Sequence, residues 1–177
     1  TPVFYYGEEL ALRNTPLKRH EIQDPPGIRF WPFYKGRDGS RTPMPWTDEP
    51  HGGFTQGDPW LPIGRANQGR NVDTALADPD SVLNCYIQCI AQRKVHRALH
   101  AGQMKLDPVV GQVLSWTRRW QDEELWVVLN MGTSPVPLTR PPEGRVISSC
   151  IFRTSGKPSV HCTTPLAPHE GRILRLV

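Results

Sequence analysis

The sequence predicts an α/β segment over residues 1–102 followed by a small all-β antiparallel domain over residues 103–177. Three observations carry this reading. Pro2–Tyr6 are apolar or aromatic at successive positions, the pattern of a parallel strand covered on both faces. Residues 79–99 sort polar and apolar side chains at helical spacing. From residue 103 onward the period falls toward two, with turn residues between short apolar runs.

A chain of 177 residues is long enough for one or two small domains with real cores. The formal charge of +4 is spread without a basic run, so no nucleic-acid partner is expected. No apolar run approaches the roughly 18 residues that span a bilayer, and no signal-peptide pattern is present, so no membrane partner is expected either. Cys85 and Cys89 lie one helical turn apart, while Cys150 and Cys162 fall among the strands. Cys-x3-Cys followed by His161-Cys162 matches no zinc spacing, and the four are read as buried thiols. Neither metal nor cofactor is implied, and reduced thiols suit a cytoplasmic location.

Taken in order, residues 1–14 read as a strand running into a short helix. A parallel strand needs neighbours that nothing before Thr1 supplies, so the chain is expected to be a piece of a longer protein. Glu8 and Glu9 project in different directions and read as an acidic helix start, not as a catalytic pair.

Residues 15–77 form a long connection holding nine prolines between Pro16 and Pro62, interleaved with Trp31, Trp46 and Trp60. Disordered segments have few aromatics, so this reads as an ordered, functional loop. Its tryptophans are assigned to packing, with stacking on a ligand ring as the alternative. At its centre stands Lys35-Gly36-Arg37-Asp38-Gly39-Ser40-Arg41-Thr42-Pro43-Met44-Pro45-Trp46. Pro43 and Pro45 fix their own φ and restrain the residue before them, while Gly36 and Gly39 permit turns. Arg41 is thereby held in one place, offering a planar fork of donors to carboxylates or adjacent hydroxyls. On composition alone, a solvated arginine in an ordinary surface loop is the favoured reading.

The helix over 79–99 has Asp78 as N-cap, Pro79 at its first position and Asp80 near its positive end. Asn84, Gln88, Gln92 and His96 make one polar stripe; Val82, Tyr86, Cys89 and Ile90 face the other way and are expected to pack on a sheet. His96 and His100 are four apart without an acidic or cysteine partner nearby in sequence, so they are not read as a metal pair. Beyond Gly102, Val113–Trp120 and Leu125–Leu129 read as a hairpin around Gln121-Asp122-Glu123, with the second strand strongly buried. Further strands are expected at Val146–Phe152, around Ser159–Cys162, and at Gly171–Val177.

The central loop resembles the Arg-Asp-x-x-Arg-Thr-Pro-Met-Gln-Trp signature of α-glucosidases, oligo-1,6-glucosidases and trehalose synthases of the α-amylase superfamily, glycoside hydrolase family 13. Thr1–Glu9 resembles the last barrel strand and its exit. Gly53-Phe54-Thr55 through Pro59-Trp60-Leu61-Pro62 resembles the segment after the signature, and Asp78–Asn84 the entry to the last barrel helix. The resemblance implies the terminal strand, loop and helix of a (β/α)8 barrel, then the family's C-terminal β domain.

It further implies a retaining mechanism whose aspartate nucleophile, glutamate acid/base and supporting aspartate all lie on strands upstream of Thr1. No catalytic residue is therefore assigned here, and Asp38, Asp48 and Asp73 are not recruited. Arg41 is the expected substrate-binding residue. By resemblance it bonds a hydroxyl of the terminal, non-reducing glucose and is held by an upstream aspartate. Arg37 and Asp38 are expected to pair within the loop. The sequence departs from the pattern at Pro45, where the family has glutamine, and at Ala11, where a glycine is common; the latter is read as a repacking.

The expected partners are an α-glucoside oligosaccharide and the remainder of the catalytic barrel. The expected function is the C-terminal portion of an α-glucosidase, inactive alone. Trehalose synthase, sucrose hydrolase and a non-catalytic binding or structural relative remain as alternatives.

Overall fold

A computed structural model describes residues 2–64, 67–138, 141, 144–154 and 164–177. The strand expected around Ser159–Cys162 lies outside the described residues. The chain forms two compact units, residues 2–86 and 87–177.

In the first unit, Pro2–Tyr6 does not form the expected strand. It joins no ladder among the described residues, and Val3 is 89% exposed. An extended segment becomes a strand only when a neighbouring strand takes its N–H and C=O groups; here the Tyr5 carbonyl accepts the Glu8 N–H of the following turn instead, at 3.2 Å. A 3-10 turn, Glu8–Leu10, follows and closes at Ala11 with φ 50°. The Glu9 carboxylate accepts from the Gly7 N–H at 2.8 Å, an acidic helix start as expected. Ala11 thus occupies a left-handed position, which glycine adopts without steric cost. The departure at Ala11 is a backbone matter, not the repacking expected from sequence.

The proline-rich connection has little regular structure but is tied across long sequence separations. The Thr15 N–H donates to Gly39 O at 2.8 Å. The Asn67 side chain accepts from the Arg13 N–H at 2.8 Å and donates to its carbonyl at 2.9 Å. Leu17, Ile22 and Leu61 form a small core against which Trp31 packs. Two short helices interrupt the connection, α1 (Pro25–Arg29) and α2 (Val72–Ala77). Pro at the start of α1 suits its first turn.

The N-terminus of α2 is closed by the signature loop. The Val72 and Asp73 N–H groups donate to Pro45 O and Trp46 O, each at 3.1 Å. The Thr74 N–H donates to Asn71 Oδ1 at 2.8 Å, and the Asn71 amide donates to Asp48 at 2.6 Å. Three N–H groups that a helix start leaves unpaired are satisfied this way.

Helix α3 (Val82–Val95) begins later than expected. Asp78 ends α2 instead of capping α3, and Ser81 Oγ accepts the Asn84 N–H at 3.1 Å. The Asn84 amide in turn donates to the carbonyls of Ala75, Leu76 and Asp78, which fixes the α2–α3 corner. The helix stops at His96, whose backbone is extended, and resumes as α4 (Arg97–His100). On the face expected to pack on a sheet, Val82, Cys89 and Ile90 are exposed, and Cys85 is half-buried. The reading of the cysteines as buried is not met: Phe4 meets Tyr86 edge-on with ring centroids 5.2 Å apart, but Cys85 stays half-buried and Cys89 exposed, and Cys150 in the second unit is half-buried.

The second unit contains a five-stranded antiparallel sheet of β1 (Gln103–Leu106), β2 (Val113–Trp120), β3 (Glu123–Asn130), β4 (Ile147–Arg153) and β5 (Gly171–Leu176). Its spatial order is β1-β2-β3-β5-β4. In the β2–β3 hairpin Trp116 faces Val127 and Trp120 faces Glu123. Leu125 through Val128 are buried on both faces, as the continuous apolar run predicts. Trp126 and Val128 form the core with Val113, Leu166, Leu174 and Leu176. The Trp126 indole N–H donates to Asp107 at 2.9 Å, which also accepts from the Ser115 hydroxyl at 2.7 Å.

His96 does have an acidic partner, far away in sequence. Its Nδ1 lies 2.6 Å from Glu123, whose other oxygen accepts the Ala98 N–H at 2.9 Å. Burial pushes the Glu123 carboxyl up, but these bonds and the His96 and Arg175 charges outweigh it and hold the group below its ordinary range. The pair anchors α4 to the β2–β3 turn.

Candidate functional site

The signature loop is organised by two buried carboxylates. Asp38, 1% exposed, accepts the Gln23 and Asp24 N–H groups through one oxygen, both at 2.7 Å. Its other oxygen receives no hydrogen bond and faces the Arg41 guanidinium at 3.8 Å. Asp24 accepts the Arg37 backbone N–H at 2.9 Å, and its two oxygens take Nε and Nη2 of the same residue at 3.4 and 3.2 Å. Those bonds hold the Asp24 carboxyl below its ordinary range despite its burial. Gly36 makes this possible: at φ 76° a Cβ there would lie 2.8 Å from Asp24 Oδ2.

Arg37 and Asp38 therefore both pair within the connection, as expected, but not with each other. Arg41 pairs with Asp38 of its own loop, and its side chain remains 34% exposed. Beside it, the Tyr6 hydroxyl donates to Thr42 O at 3.0 Å. Burial pushes the Tyr6 phenol up, Tyr5 adds to the shift and the Arg41 charge opposes it. The pairing leaves Arg41 a restrained cation with donors still turned to solvent. Pro45 is buried and contributes its carbonyl to α2, an acceptor that a glutamine backbone would supply equally.

A cleft of about 610 Å³ opens on the other side of Pro45. Its wall is assembled from the 3-10 turn Arg19–Glu21, residues 45–52, and residues 58–63 and 67–71. Trp60 stands on its rim, 62% exposed. Trp46 is also exposed. Packing thus describes Trp31 but not Trp46 or Trp60. Arg41 does not line this cleft.

Sequence reasoning did not single out Asp24, Asn71 or the cleft. Asn71 before Val72-Asp73 carries an N-cap signal that is recoverable from sequence. The Asp24–Arg37 pair depends on a turn at Gly36 and leaves no local pattern. No group of three or more histidine, cysteine, aspartate or glutamate side chains among the described residues is placed to hold a metal ion. Among them, too, no helix is long and apolar enough to cross a membrane.

Comparison with known proteins places the fold. The description "Alpha amylase, catalytic domain" matches residues 1–102, and the chain belongs to this family of glycoside hydrolases. It is 41% identical over 158 residues to a probable alpha-glucosidase of Rhizobium meliloti, covering 86% of this chain and 29% of that protein. An oligo-1,6-glucosidase of Parageobacillus thermoglucosidasius is 33% identical, covering 81% of this chain and 29% of the relative.

The structure also resembles isomaltulose synthase from Klebsiella sp. LX3, with a TM-score of 0.85 and 28% identity, over 100% of this chain and 35% of that one. Trehalulose synthase from Pseudomonas mesoacidophila MX-45 gives a TM-score of 0.82 at 27% identity, over 100% and 36% respectively. The chain spans about 30% of the length of the curated relatives named.

Proposed function

We propose that this chain is the C-terminal portion of a retaining α-glucosidase that cleaves terminal α-glucosidic bonds of short oligosaccharides. The observation supporting it is that residues carrying the Lys35–Trp46 loop match proteins named as α-glucosidase and oligo-1,6-glucosidase. Residues 1–102 contribute the last β/α unit of the barrel and residues 103–177 its β domain. The exposed side chains of Pro2–Tyr6 and α3, among them Val3, Val82 and Ile90, receive the preceding barrel, which carries the nucleophile and the acid/base.

In such a reaction the nucleophile forms a glycosyl-enzyme intermediate, and the acid protonates the leaving oxygen and then activates water. Arg41 positions the sugar. Its guanidinium, restrained by Asp38, donates to a hydroxyl of the terminal glucose and closes the pocket against a longer chain. This is acid–base and nucleophilic chemistry that calls for no cofactor.

In the full-length protein, hydrolysis of maltose and p-nitrophenyl α-glucoside tests the reading. Arg41→Ala is expected to lower kcat/KM by about tenfold or more, the loss of one transition-state donor. Unchanged kinetics remove Arg41 from the site. A parent that turns over neither substrate points instead to a non-catalytic relative. A second reading, a sugar isomerase, is favoured by the resemblance to isomaltulose and trehalulose synthases. Sucrose products separate them: monosaccharides indicate hydrolysis, a rearranged disaccharide indicates isomerisation.

A further inference from the structure

We infer that Asp38 is a positioning residue of the proposed reaction: one of its oxygens builds the signature loop, and the other aims the Arg41 guanidinium. The inference deepens the glucosidase reading and rests on it for the role of Arg41. It gives Asp38 a task that anchoring the loop does not require.

The geometry starts from a short turn. Asp38–Ser40 form a 3-10 turn closed by the Arg41 N–H, which donates to Asp38 O at 2.9 Å. Side chains three apart on such a turn eclipse one another, so Asp38 and Arg41 face the same way. The turn is clamped from outside. A Cβ on Gly39 would lie 2.8 Å from Thr15 O, so turn and Thr15 segment meet backbone to backbone. The Ser40 hydroxyl donates to Arg37 O at 2.9 Å, and Thr42 is buried with its carbonyl bonded to Tyr6. The Arg41 backbone is thus fixed on both sides, and the freedom that remains belongs to its side chain.

Two aspartate–arginine pairs stand in this loop, and they are built differently. Arg37 commits Nε and Nη2 to Asp24. Arg41 gives no side-chain hydrogen bond to any described residue; its Nη1 stands 3.8 Å from Asp38 Oδ1. The first pair is closed by bonds. The second is a contact of charges, which sets the direction of the guanidinium and leaves its N–H groups for a ligand.

The loop alone does not account for the charge on Asp38. Both backbone donors that it satisfies, Gln23 and Asp24, bind Oδ2, and the carbonyl of an asparagine would accept them equally. Oδ1 is buried without a hydrogen bond from any described residue, an unfavourable state for a carboxylate oxygen. For the fold, an amide at this position would serve as well. The group that Oδ1 faces is Arg41.

The test uses the full-length protein as Asp38→Asn, Arg41→Ala and the double variant. Rates are measured on p-nitrophenyl α-glucoside and maltose, urea midpoints report folding, and inorganic phosphate is titrated by calorimetry at low ionic strength. Asp38→Asn is expected to lower kcat/KM by about fivefold, divided between kcat and KM as Arg41→Ala divides its own loss, with the urea midpoint held. In the Arg41→Ala background the same change is expected to cost less than about twofold, because Asp38 acts through Arg41. Asp38→Asn is also expected to tighten phosphate binding by about fivefold, since Arg41 loses its countercharge, and Arg41→Ala to abolish that gain.

Losses that multiply in the double variant overturn the inference, as does an Asp38→Asn protein that keeps full activity or loses its fold. If the parent turns over neither substrate, the glucosidase reading fails by itself. Phosphate binding then decides: tightening that requires Arg41 upholds Asp38 as the group directing it, and unchanged binding overturns this. If hydrolysis depends on Arg41 while the two losses multiply, the glucosidase reading stands and the assignment of Asp38 falls.

Discussion

Replacing Glu170 by glutamine removes one charge from the best-buried ionic network of the second unit. Glu170 is 1% exposed. One of its oxygens accepts Nε of Arg153 and Nε of Arg172, both at 2.8 Å; the other accepts the Ala167 N–H at 2.7 Å and Nη2 of Arg172 at 2.9 Å. Arg172 is buried as well, and its guanidinium also donates to Thr164 O and Pro165 O. A glutamine of the same shape turns an NH2 group toward at least one set of these donors.

Breaking a buried pair by removing one partner costs about 3–5 kcal/mol, because the remaining charge stays desolvated. Arg153 reaches solvent, which favours the lower end. At ~4–8 °C per kcal/mol for a unit of this size, the transition of the second unit should fall by roughly 12–40 °C. Urea unfolding followed by tryptophan emission and calorimetry both read this, since Trp126 sits in the same core. A loss below about 1 kcal/mol would mean that solvent screens the network like a surface pair, and the argument fails.

The acid side gives an independent check. Burial pushes the Glu170 carboxyl up, yet its bonds to Arg172 and Ala167 and the two arginine charges leave it below its ordinary value. A carboxyl depressed in the folded state stabilises above its unfolded pKa, and that stabilisation is lost as pH falls through the folded pKa. Stability of the parent should therefore decline as pH is lowered through the carboxylate range, and less steeply in Glu170→Gln.

Two further outcomes follow from the first unit. Ala11→Gly should raise stability by about 1 kcal/mol, since φ 50° costs alanine more than glycine; a higher urea midpoint at unchanged slope would show it. Asn71→Ala should cost about 1–2 kcal/mol, because it removes the α2 cap and the Asp48 bond together, and hydrogen exchange at the Thr74 amide should speed up.

The β domain was the most legible part of the sequence. Val113–Trp120 and Leu125–Leu129 announce themselves because alternation and a double-sided apolar run are local signals. β1 gave no such signal, since all four of its residues are exposed and it gains strand character only from β2. The break at His96 was equally hidden, because Glu123 lies on the next hairpin. Asp78-Pro79-Asp80 is a strong start signal, yet Asn84 and Ser81 moved the helix start to Val82.

Pro2–Tyr6 has the composition of a strand, but a ladder also needs a partner, and that information lies in other residues. In the site, Arg41 stood out through its prolines and its motif. The Trp60 cleft did not, because its wall joins residues around His20, Pro45 and Asn71 that share no spacing in the chain.

The order of the sheet has a bearing on how the second unit is made. Among the described residues β4 hydrogen-bonds to β5 and to no other strand, and β5 is inserted between β3 and β4. During synthesis the β1–β2–β3 meander can zip up as it emerges, whereas β4 leaves the ribosome with its edges bare and must wait for later residues to arrive. Until then the open edge of β3 is a template for the wrong partner, so nascent chains stalled between the two strands are the species a chaperone would be expected to hold.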